Sequence, residues 1–184
     1  MIKPTIKILL GAALFAAAAN AQQPPTLARM YDNQLTGADR EIVALAEAMP
    51  AEKYNFAPTT GEFTGVRTFG LQVRHLATVI YEVAAAAQSE KMPVEVGETE
   101  NGSNSLQSKE QIVAYLKAAF AYAHKAAQAL TPANEMSMVK SPFGSGQMAR
   151  GACIQIAAWH SFDHYGQMVV YARMNGIIPP ASRR

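Results

Sequence analysis

A single cysteine, Cys153, stands in a chain of 184 residues. No intramolecular disulfide can therefore brace the fold, and no thiolate cluster can hold a structural zinc or an iron–sulfur centre. Charge is also scarce: 16% of the residues are Asp, Glu, Lys or Arg, and the formal net charge is only +2. So small an excess gives no electrostatic sign of a nucleic-acid binder, while the 49% hydrophobic content argues against a disordered chain. No Gly-Lys-Ser/Thr ending follows the glycines of residues 141–146, so that loop reads as a connection and not as a phosphate cradle. Glu-x-x-His pairs and a C-x-x-C-H motif are both missing, which removes ferritin-like di-iron chemistry and covalently attached haem. The nine methionines do not cluster and read as core filling.

Long apolar runs are absent too. The longest, residues 8–19, has 12 uncharged and mostly apolar residues, whereas a bilayer span needs about 20. Lys3 and Lys7 precede this run, and Ala19-Asn20-Ala21 follows it as a small-x-small cleavage signal. That order predicts a secretory signal peptide over residues 1–21 and a single exported domain over 22–184, periplasmic or secreted. No cysteine follows the apolar run, so a lipid anchor is not expected. Cleavage after Ala21 removes two lysines and leaves 14 basic and 14 acidic side chains, a neutral mature chain.

Four segments of the remainder carry helical periodicity. The first spans residues 26–49, with Leu27, Met30, Tyr31, Leu35, Ile42, Leu45, Ala46 and Met49 as its apolar stripe and Pro50 as its stop. The second spans residues 67–89. The third opens on Ser108-Lys109-Glu110-Gln111, a capping-box pattern, and ends at Thr131-Pro132. The fourth spans residues 147–174 and ends at Asn175-Gly176, a left-handed cap signal. No strand alternation is visible. The fold class expected is all-α: a four-helix bundle whose long polar linkers act as crossover connections.

The chemistry sits on the fourth segment. His160 and His164 are four apart, so both imidazoles project from one helix face. That face continues through Cys153, Ile156, Ala157, Met168 and Tyr171, an apolar stripe that points the pair into the bundle. Two inward imidazoles need partners for their ring nitrogens; buried hydrogen bonds or a bound cation would serve. His75, on the second segment, is the third histidine placed to join them. His124 has no partner at ligand spacing and reads as exposed or packed on aromatics. Glu82, two turns from His75, either approaches the same centre or has an ordinary structural role. Asp163 points about 100° away from His164 and reads as a surface or packing residue. Gln167 and Tyr171 either line a pocket or pack the core, and Cys153 is too far along the helix to ligate.

The segments RHLATVIYEV and HSFDHYGQMVVYARMNGIIPP, together with their place in a four-helix chain, resemble the DinB-like (DinB/YfiT) family. The resemblance runs from about residue 26 to 180. It implies a bundle of unusual helix order and a divalent metal held by three histidines, here His75, His160 and His164, with Gln167 matching the residue that usually follows them. Imidazole ligands favour Zn or Ni and allow Fe or Mn. The resemblance further implies a thiol S-transferase or a metal-dependent hydrolase; a non-catalytic, stress-related metal binder with a vestigial site is the alternative. Partners are expected to be a small-molecule substrate, with neither nucleic acid nor a stable membrane anchor, and a homodimer is compatible with the chain.

Overall fold

A computed structural model describes residues 25–97 and 99–183; the signal peptide expected over residues 1–21 lies outside them. Thr26 starts the first helix, α1 (Leu27–Ala48), by accepting a hydrogen bond from the Arg29 amide through its hydroxyl. Gly37 does not interrupt it, and Leu35, Ala38, Ile42, Leu45 and Ala46 form its buried stripe. Met30, expected on that stripe, is exposed instead. Pro50 then turns the chain into a single 3-10 turn, Ala51–Lys53.

Thr68 caps α2 (Phe69–Gln88) in the same way, through the Leu71 amide. The Tyr54 hydroxyl donates to the Ala46 carbonyl at 2.6 Å, and the Tyr54 carbonyl accepts from the Gly70 amide at 2.8 Å. A Cβ on Gly70 would stand 3.2 Å from that Tyr54 oxygen, so glycine leaves room that a larger residue would crowd. Helix α3 (Lys109–Gln128) opens on the expected capping box, with Ser108 and Gln111 each satisfying the other's backbone amide.

Helix α4 (Arg150–Met174) starts three residues later than its periodicity suggests. Residues 147–149 instead form β2 (Gln147–Ala149), which pairs antiparallel with β1 (Met138–Lys140). Strands of three residues are too short to display alternation, so this hairpin was not visible in the sequence. It replaces a side-chain cap. Ala149 offers no capping oxygen, but the amides of Arg150 and Gly151 donate to the carbonyls of Ser137 and Glu135.

Four helices pack as a bundle with a non-sequential order. Helix α2 packs on α3 and α4, and α1 packs on the same two helices from the other side. Thus α1 and α2 stand at diagonal corners, while α3 and α4 touch only marginally. The connections behave as the crossovers that the long linkers implied. Among the described residues no helix is long and apolar enough to cross a membrane.

Candidate metal centre

Helices α2 and α4 run antiparallel, which the pairings of Gln72 with His164, His75 with His160 and Ala87 with Arg150 trace along the seam. This register brings His75 to the two histidines of α4. Ring centroids are 5.3 Å apart for His75 and His160, 4.8 Å for His75 and His164, and 4.5 Å for His160 and His164. One ring nitrogen from each lies within 4.8 Å of the others. His75 and His164 are buried, and His160 stands at the edge.

The second nitrogen of two rings is already committed. His75 Nδ1 lies 2.8 Å from the Glu100 carbonyl, which can only accept, so the Nδ1–H donates and Nε2 keeps its lone pair. His164 Nδ1 meets the Gln72 side-chain oxygen. Gln72 is oriented in turn, because its amide nitrogen donates to the Gln167 side-chain oxygen at 2.9 Å. His164 therefore also presents Nε2. His160 Nε2 lies 3.3 Å from His75 Nε2. All three rings can thus turn the same type of nitrogen to one point.

Electrostatics keep them neutral. Burial lowers the pKa of all three below the usual imidazole range, and mutual repulsion adds to this for His160 and His164. His164 falls to about 3, through burial first and then the nearness of His160 and His75. Neutral imidazoles with free Nε2 lone pairs are the state that a divalent cation requires. The donor set fits such an ion, and no fourth His, Cys, Asp or Glu joins the cluster among the described residues.

Other expected residues fall elsewhere. Asp163 is exposed and Cys153 is buried, as their positions suggested. Gln167 serves as the support for Gln72, and Tyr171 packs edge-on against Phe56 at 5.8 Å between centroids. Glu82 does not reach the triad and lines a separate cavity. His124 is neither exposed nor packed on aromatics: its Nδ1 lies 2.6 Å from Asp32 on α1. That partner is 92 residues distant and invisible to local spacing.

Three contributors escaped the sequence reading. Glu100 enters through a backbone carbonyl, to which any residue type is equal, and also through a carboxylate 3.9 Å from both His75 Nδ1 and the Arg67 guanidinium. Arg67 stands at the rim, its Nε donating to the Asn101 side-chain oxygen at 2.7 Å, and its charge is felt by all three histidines. Arg74, buried beneath them, donates to the Gly102 and Ser103 carbonyls and pins the long connection over the site.

A bundle of diagonal helix order with three imidazoles converging between its second and fourth helices defines a recognisable class. The DinB superfamily matches residues 34–168, and the chain belongs to it. Its fold is similar to that of a DinB-like protein from Bacillus cereus, with a TM-score of 0.64 at 16% identity, over 82% of this chain and 93% of that one. A protein from Exiguobacterium sibiricum, proposed to be a DinB family member, is similar with a TM-score of 0.61 at 16% identity, over 83% and 93% of the two chains. No curated protein matches the sequence significantly.

Proposed function

We propose that this chain is an exported metal-dependent hydrolase that holds one divalent cation, Zn or Ni by preference, on Nε2 of His75, His160 and His164. The observation that supports it is the convergence of three neutral imidazoles without a fourth protein ligand, since an incomplete protein shell is the arrangement of reactive rather than purely structural sites. A cation there would supply a Lewis acid for an ester or amide carbonyl and for the attacking water. The chain's own residues do the rest. Gln72 and the Glu100 carbonyl hold two ligand rings in one tautomer, and Arg67, held at the rim by Asn101 and paired with the Glu100 carboxylate at 3.9 Å, places a guanidinium beside the site. Thiol S-transfer is the weaker reading, because export separates the protein from the cytosolic thiols that it would need.

One observation favours a non-catalytic metal binder: the cavity of about 500 Å³ is not lined by the three histidines. Elemental analysis decides the metal first. A reconstituted protein that holds far less than one equivalent, unchanged in His160→Ala, overturns the centre itself. A panel of ester, amide and phosphoester substrates, assayed with and without chelator, decides the chemistry. Turnover abolished by chelator and restored by Zn or Ni supports the hydrolase; a fully loaded protein without turnover favours the binder. Sequencing the N-terminus of protein recovered from cells tests export, with Gln22 expected as the first residue.

A further inference from the structure

The cavity lies along α2 beyond the triad, between the C-terminal half of that helix, the chain leaving it at residues 89–92 and the β1–β2 loop. Glu82 lies seven residues from His75, about 10 Å along the helix axis. Its carboxyl, half-buried on the cavity wall, has neither hydrogen bond nor ion pair among the described residues. Glu90, which also lines the cavity, differs: it accepts a hydrogen bond from the Tyr122 hydroxyl at 3.2 Å. The half-buried carboxyl keeps contact with the cavity's water and has no protein donor, so its charge is carried at a desolvation cost that a cation entering the cavity would offset. Burial and the nearby Glu100 carboxylate accordingly raise Glu82 to about 7.

We propose that this cavity binds a primary or secondary organic ammonium ion, its N–H groups donating to the Glu82 carboxylate and its hydrocarbon part lying against Ala85, Ala86, Met92 and Pro142. An inorganic cation fits poorly, because it asks for several converging oxygens and Glu82 belongs to no such cluster among the described residues. A quaternary ammonium ion would ask for aromatic faces, and none lines the cavity. Lys140 lines it too, on β1, so an amine carrying an acceptor or an anionic group at its far end is matched at both ends. The titratable and charged groups around Glu82 are Glu100 on the long connection, which raises it, Tyr115 on α3, which feels its charge, and Lys140 and Glu90 on the cavity lining.

Calorimetric titration with n-butylammonium and 1-butanol at pH 8 tests this. The ammonium ion is expected to bind at least tenfold more tightly than the alcohol, to lose that advantage in Glu82→Gln, and to keep it in His160→Ala. Equal binding of the two probes, or an unchanged preference in a folded Glu82→Gln variant, overturns the proposal. Should Glu82→Gln fail to fold, the wild-type protein decides. Its butylammonium affinity is expected to fall at least tenfold from pH 8 to pH 5.5, as Glu82 takes up its proton, and a flat profile overturns the assignment. Retention in His160→Ala separates this site from the metal centre, so either reading can fail without the other.

Discussion

The side-chain oxygen of Gln72 accepts the Nδ1 proton of His164, a contact made across the α2–α4 seam between residues 92 apart in the chain. Gln72 cannot rotate freely, because its amide nitrogen is held by Gln167, one turn beyond His164. A ligand nitrogen is thus aimed by a residue that never touches the ligand point. Substitution of Gln72 by Ala is expected to weaken metal binding by about 10- to 100-fold. Gln167→Ala should weaken it less, since Gln72 then loses its orientation but not its oxygen. Competition with a chromophoric chelator measures both, and equal affinity in Gln72→Ala would show the contact to be packing alone.

The three depressed histidines set a direction for acid stability. His164 ionises in the unfolded chain near 6.5 and in the folded one near 3, so between those values the unfolded state binds more protons. The metal-free protein is expected to lose stability as pH falls through that window. Replacing His164 by Gln should flatten the loss, which urea denaturation at pH 7 and pH 4.5 would measure.

Glu82 acts with the opposite sign. Its folded value of about 7 lies above the ordinary 4.5, so its contribution is present below 4.5 and is lost as pH rises towards 7. Glu82→Gln should therefore be more stable than wild type at pH 8, by on the order of 1 kcal/mol after allowing for solvent screening. At pH 4 the two should be equal. A variant less stable at pH 8 would mean that the carboxylate has a protein partner.

Gly70 offers a test of the fold that touches no chemistry. An added methyl group would meet both the ring and the backbone oxygen of Tyr54 at 3.1–3.2 Å, and backbone cannot swing aside as a side-chain tip can. Gly70→Ala is expected to cost about 1–3 kcal/mol in thermal or urea unfolding. A neutral effect would show that the 3-10 turn can shift away from α2.

Much of this was legible because it is local. Ser108 and Gln111 announce their cap three residues apart, and His160 and His164 share a helix face by arithmetic alone. His75 was reachable as an inward position on its own helix, and the family resemblance joined it to the pair. What stayed hidden depends on chain separation or on backbone. The Glu100 carbonyl carries no side-chain signature, the hairpin at residues 138–149 has strands of only three residues, and Asp32 meets His124 only after α1 and α3 dock. Glu82 was placed on the correct side of α2, but no spacing rule could say that it would face a cavity and not the histidines.

The diagonal placement of α1 and α2 also dictates an order of events. His75 and His160 are 85 residues apart, and the wall that unites them needs α4, which follows the other three helices in the chain. Until α4 docks, His75 has neither histidine of the pair to meet, while α2 and α3 can already pack as neighbours. A cation captured at this seam would therefore wait for α4, and would act as a late clasp on an assembled bundle and not as a nucleus for folding.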